Sequence, residues 1–177
     1  ILAAIRERYP DLPVIVMTSR DDLPLETDAE RLQAEDYTYL LADPTTGEAV
    51  LIDCHSMPHE AIEAHTRPGQ PRPEVVLGDR YGATAGREVM ERVEAAFAGA
   101  GLRVGRNAPF AGAYVAQAYG RPSRGVHVVQ VEIDRALYMD EVRVEPLAGF
   151  GAFRDLMAGV VGELLSGAGA AGRLAAE

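Results

Sequence analysis

The chain has 177 residues, 47% hydrophobic and 25% charged, with a formal net charge of -10. That length suffices for one domain with its own core, and the acidic balance argues against nucleic acid or an anionic membrane surface as main partner, since both need a basic face. A small anionic substrate held by local arginines stays compatible, no apolar run approaches the ~20 residues of a membrane helix, and a single cysteine, Cys54, excludes an internal disulfide and fits a reducing cytoplasm.

The opening Ile1-Leu2-Ala3-Ala4-Ile5-Arg6-Glu7-Arg8 is charged and amphipathic, unlike a signal peptide, and the absence of an initiator Met suggests a chain cut from something longer. Ile1, Leu2, Ile5 and Tyr9 near one face predict a helix that Pro10 stops. Leu12 to Thr18 reads as a strand. Thr27-Asp28-Ala29-Glu30 has the form of a capping box before a short helix over Ala29 to Ala34. Tyr37 to Ala42 is a strand by β propensity. The turn residues Asp43-Pro44-Thr45-Thr46-Gly47 join it to a second strand over Glu48 to Asp53, making a β-hairpin.

Residues 59 to 73 read as a loop, because Pro68, Gly69, Pro71 and Pro73 leave little room for regular structure. Glu74 to Leu77 is a strand. Arg87 to Ala100 is a helix with Val89, Val93, Ala96, Phe97 and Ala100 on one apolar face, ended by Gly101. Leu102 to Val104 is a short strand, and the stretch up to Gly120 is ambiguous. Val126 to Ile133 carries the strongest strand signal. Leu147 to Leu165 is a closing helix, and the Gly/Ala-rich tail from Gly167 is expected to fray. Alternating strands and helices with buried strands predict an α/β layered domain with a parallel or mixed sheet.

Chemistry-bearing residues cluster where strands end. Val50-Leu51-Ile52 runs into Asp53-Cys54-His55-Ser56-Met57-Pro58, and ligands in open α/β sheets bind beyond the carboxyl ends of strands. A His with an Asp two residues before it has the look of a metal ligand with a carboxylate nearby; equally, the His could simply cap a loop at a strand end. Cys54 reads as a packing residue. Gly78-Asp79-Arg80, Asn107 with Arg121 and Arg124, and Glu132 to Arg135 form further polar clusters. Glu132 lies between Val131 and Ile133, where an unpaired carboxylate is costly. It is either paired with an arginine or tuned as an acid/base. His59 and His65 read as solvent-exposed, and His127 as a packed core residue.

Several of these stretches, in order, carry a family resemblance. Leu51 to Pro58, Val76-Leu77-Gly78-Asp79-Arg80-Tyr81-Gly82, Tyr119-Gly120-Arg121-Pro122 and Gly125 to Glu141 together resemble N-formylglutamate amidohydrolase. The match runs from about Ala49 to Leu165. It implies a three-layer α/β/α fold of zinc-carboxypeptidase type with a mixed, mostly parallel sheet. It also implies metal-dependent hydrolysis of N-formyl-L-glutamate to formate and glutamate in histidine degradation. Zinc, or cobalt, is the metal implied. On this resemblance His55 matches the last metal-ligand His, with Asp53 supporting it, and Glu132 matches the general base/acid. Arg80, Arg121, Arg135 and Asn107 are the candidates for holding the substrate, since arginine forks match carboxylates.

The family's first half supplies an earlier His and an acidic ligand, and no His precedes His55 here. The resemblance therefore describes a C-terminal half. Residues 1–48 are an atypical, foreign or truncated segment, 49–166 the family-like domain, and 167–177 a flexible tail. A rival expectation is a catalytically silent α/β fragment or binding module without a complete metal site. Two shorter likenesses carry no function. The first twenty residues resemble a helix-to-strand segment of a response-regulator receiver domain, and Tyr37 to Asp53 is similar to a metallo-β-lactamase hairpin. The oligomeric state is left open.

Overall fold

The computed structural model describes residues 37–42, 48–67 and 69–170, with side chains described at 48–67 and 69–164. The expected elements within residues 1–36 and the turn at 43–47 lie outside the described residues. The strands are β1 (Tyr37–Ala42), β2 (Ala49–Met57), β3 (Val75–Gly78), β4 (Val104–Arg106) and β5 (Val126–Asp134), with a small hairpin of β6 (Met139–Asp140) and β7 (Glu145–Pro146). The α-helices are α1 (His59–His65), α2 (Arg87–Gly99), α3 (Tyr114–Tyr119) and α4 (Phe150–Ala170).

The main sheet has the order β1-β2-β5-β3-β4. The expected hairpin is present, with β1 antiparallel to β2 and Tyr37 opposite Cys54. At the centre β2 and β5 run parallel over nine residue pairs, from Ala49 opposite Val126 to Met57 opposite Asp134. β3 is antiparallel to β5 and parallel to β4, and the parallel step from β3 to β4 is made through α2, as parallel neighbours require a crossover.

Side-chain alternation sorts the sheet into two faces. Val50 and Ile52 of β2, Val75 and Leu77 of β3, and Val129 and Val131 of β5 pack with Val89, Met90, Val93, Ala96 and Phe97 of α2 and with Val160 and Leu164 of α4. The intervening residues face the other way. Leu51 and Val128 meet Ala116 of α3, while Met57 and Val76 meet Ile62 of α1 and Phe110. Helices thus cover both faces, and the molecule is the expected α/β/α sandwich. No helix among the described residues is long and apolar enough to cross a membrane.

Four local expectations are corrected. β2 continues through Asp53 to Met57, because Asp53 and His55 obey the two-residue strand period and only Pro58 ends the pairing. Residues 59–65 form helix α1 and not a loop: Pro58 sits extended at its N-cap (φ −66°, ψ 141°), Glu60 complements the first turn, and Ile62 is fully buried. One such anchor is worth about 1.5–3 kcal/mol, and the proline cluster that suggested a loop begins only at Pro68. The strand expected at Leu102–Val104 lies two residues later, because helix α2 closes with a Schellman turn. There Gly101 takes φ +85°, its N–H donates to the carbonyl of Ala98, and that of Leu102 donates to Phe97. The closing helix starts at Phe150 and not Leu147, since β6 and β7 precede it, and its backbone stays helical through Ala170.

Candidate active site

The strand period decides which polar residues meet. On β2, Asp53, His55 and Met57 share a face; on β5, Gln130, Glu132 and Asp134 share that same face, opposite the face that carries α2 and α4. The parallel register sets Asp53 beside Gln130, His55 beside Glu132 and Met57 beside Asp134. Two strands whose paired positions lie more than seventy residues apart therefore bring His55 and Glu132 together near their carboxyl ends, where an open α/β sheet binds ligands.

Asp53 is almost wholly buried, and its Oδ2 lies 3.1 Å from Nε2 of the quarter-exposed His55. A buried carboxylate without such a partner would be costly. Glu132, 7% exposed, accepts a 2.6 Å hydrogen bond at Oε1 from the Gln130 amide Nε2. That carboxamide in turn accepts the backbone N–H of Ala113 at 2.5 Å through its own Oε1. On the opposite face of β2, Cys54 packs its thiol against the helix-side core. Burial first, then the negative charges of Asp53 and of Glu132, push it up to about 12. It is a packing thiol and not a nucleophile.

Asn107 and Arg80 belong to one loop device. Arg80 and Tyr81 both take left-handed backbone (φ 52° and 57°), as does Asn107 (φ 58°), a conformation that costs about 1–2 kcal/mol per ordinary residue. The buried Asn107 offsets it. Its Oδ1 accepts the N–H groups of Asp79 (3.1 Å) and Tyr81 (3.3 Å), and its Nδ2 donates to Asp79 Oδ1 at 2.7 Å. The Asn107 side chain shapes the loop that presents Arg80. Arg80 in turn holds residues 111–112: its backbone N–H donates to the Ala111 carbonyl at 2.7 Å and its guanidinium to that of Gly112 at 3.1 Å.

The other two arginines are placed elsewhere. Arg135 donates to Ser56 Oγ (3.0 Å) and to the Ser56 carbonyl (3.3 Å), and Ser56 alternates onto the α2/α4 face, away from His55. Arg121 is exposed and donates to the carbonyls of Gln117 and Gly120. Its backbone bridges Val126, at the start of β5. Glu132 lies six residues along that strand, about 20 Å at ~3.3 Å per residue. An open cavity of about 420 Å³, lined by Asp79, Tyr81, Arg87, Arg106 and Asn107 among others, does not include His55 or Glu132.

The remaining histidines are committed. His127 is buried as expected. Its Nδ1 accepts the Gly86 N–H at 2.9 Å, which leaves Nε2 as the protonated nitrogen, 3.1 Å from Glu48 Oε1. His65 is exposed, with Nδ1 2.8 Å from the Ala61 carbonyl. His59 differs from expectation: it is half-buried at the start of α1, with Nδ1 2.7 Å from Oδ2 of the buried Asp134. Among the described residues no group of three or more His, Cys, Asp and Glu side chains is arranged to hold a metal ion. A catalytic zinc takes about three protein ligands, so the imidazole of His55 with its carboxylate neighbour does not by itself fit a complete centre.

Sequence reasoning passed over Gln130 and the His59–Asp134 pair. Gln130 carried a readable signal, a polar residue two before Glu132 in an apolar strand and so on its face. The His59–Asp134 contact joins positions 75 apart and had none.

The sequence profile of the N-formylglutamate amidohydrolase family matches residues 34–139. Among solved structures, the N-formylglutamate amidohydrolase from Ralstonia eutropha JMP134 is similar at 32% identity and a TM-score of 0.59, over 69% of this chain and 43% of that one. The match thus spans less than half the length of that relative. No curated protein sequence matches this chain.

Proposed function

Because this chain belongs to the N-formylglutamate amidohydrolase family, we propose that the shared face of β2 and β5 is one half of a site that hydrolyses N-formyl-L-glutamate to formate and glutamate, a step of histidine breakdown in the cytoplasm. The observation that carries the reading is the register pairing of His55 with Glu132 on one sheet face. In this reading Glu132 takes a proton from the attacking water and delivers it to the leaving amine. Gln130 keeps that carboxylate oriented, and Asp53 fixes the His55 ring. Arg80, presented by the Asn107-braced loop, is the cation for a substrate carboxylate, which an acidic protein must supply locally. A divalent metal, zinc or cobalt, is part of the proposal, with His55 as one ligand. The incomplete donor set among the described residues also favours a second reading, a catalytically silent α/β module.

Formate release from N-formylglutamate, with zinc or cobalt added, separates the two. The hydrolase reading expects turnover in the parent and a fall of about 10²–10⁴-fold in kcat for Glu132→Gln, the usual worth of general acid-base catalysis, with metal content unchanged. His55→Ala should lose metal first. A parent that binds neither metal and releases no formate leaves the silent module standing.

A further inference from the structure

A three-residue strap, Ala111-Gly112-Ala113, crosses the sheet on the face of His55 and Glu132. It lies so close to β3 that a Cβ on Gly78 would stand 2.6 Å from Ala111 C and from Gly112 N. Gly112 itself takes φ +113°, and a Cβ there would meet Arg80 and Ala116 at 3.1 Å. Arg80 holds two carbonyls of the strap, and Gln130 receives its last N–H.

Only one orientation of the Gln130 carboxamide satisfies both neighbours. The Ala113 N–H requires an acceptor and the Glu132 carboxylate requires a donor, so the oxygen turns to the strap and the NH2 to the acid. Gln130 is 3% exposed and Glu132 7%, so neither bond is readily exchanged for one to water.

We propose that Gln130 is a positioning residue for Glu132: its buried carboxamide joins the carboxylate to the strap that Arg80 also holds, fixing the proton carrier and the candidate anion-binding arginine in one frame. The role of Glu132 in turnover rests on the hydrolase reading above; the linkage itself does not. A donor aimed at the carboxylate favours its charged form. Losing the donor weakens that preference and removes one of the contacts that orient the side chain.

The test is a titration of the Glu132 carboxyl carbon by NMR in the full chain labelled with 13C at the Glu side-chain carboxyls. The signal is assigned by its loss in Glu132→Gln. In Gln130→Met the Glu132 midpoint should rise by about one pH unit, as expected for the loss of one hydrogen bond to a charged group. The Ala113 amide should also exchange with deuterium faster. Gln130→Asn, smaller and one methylene too short to bridge, should show both changes and serves if the Met variant does not fold. An unmoved midpoint in either folded variant overturns the positioning role. A moved midpoint together with a parent that releases no formate upholds the linkage and removes the hydrolase reading. An unmoved midpoint in an active parent does the reverse.

Discussion

The close approach of the strap to β3 makes Gly78→Ala a quantitative probe of the site's scaffold. The added methyl would sit 2.6 Å from two backbone atoms and 2.9 Å from the Ala111 carbonyl oxygen. Non-bonded heavy atoms settle at about 3.5–4.0 Å, so the strap must recede by about 1 Å. Backbone cannot swing aside as a long side chain can, and overpacking of this kind costs about 1–3 kcal/mol. The same movement stretches the 2.7 Å bond from Arg80 N to the Ala111 carbonyl and the 2.5 Å bond from Ala113 N to Gln130. Each bond is worth about 0.5–1.5 kcal/mol, so the whole loss is about 2–6 kcal/mol. Urea unfolding followed by far-UV circular dichroism reads it directly, with Gly159→Ala as the control. Gly159 lies within α4 and a Cβ there meets nothing within 4 Å, so that variant should gain about 0.5–1 kcal/mol from helix propensity alone. If Gly78→Ala unfolds within 0.5 kcal/mol of the parent, roughly the scatter of a neutral surface change, the strap does not lie against β3 as described.

Cys54 gives a pH prediction with a definite sign. Its thiol is raised in the folded chain from 9.0 to about 12, so its contribution to stability is full below pH 9.0 and is lost as pH climbs toward 12, where the unfolded chain ionises first. Urea midpoints measured from pH 8 to 11 should fall more steeply for the parent than for Cys54→Ala, and equal slopes would remove the buried-thiol account. Arg80→Ala should raise KM for N-formylglutamate more than for an uncharged formamide, with equal effects ruling out carboxylate recognition. Arg135→Ala, which releases Ser56 on the other face, should instead lower the unfolding midpoint and alter the two KM values alike.

Much of the fold is legible because strand and helix periods are local. Val89, Val93 and Phe97 marked α2, and the valines of Val126 to Ile133 marked β5, before any contact was known. The family resemblance located His55 and Glu132. Three kinds of feature escaped. Helix α1 was masked by the prolines that follow it, although it rests on a single buried residue, Ile62. The extent of β2 was misread because a run of polar residues looked like a strand end, when alternate ones simply faced the opposite side. Arg135 was grouped with the site through its closeness in sequence to Glu132, yet it lies just past the end of β5 and its guanidinium bonds Ser56, on the other face.

The residue pattern alone put Gln130 and Glu132 on one side of a strand over Val126 to Ile133, since side chains alternate with a period of two whatever the strand pairs with; that Asp53 and His55 share a side followed only once β2 was seen to run on to Met57. Tertiary structure decided that those two strands are neighbours, that they run parallel, and that His55 stands beside Glu132 and not one residue away. A slip of one residue would turn the acid to the helix-covered face. That register is set by contacts between segments more than seventy positions apart, through the packing of Leu51 and Val128 on α3 and of Val50, Ile52, Val129 and Val131 against α2 and α4, and no local stretch of the chain encodes it.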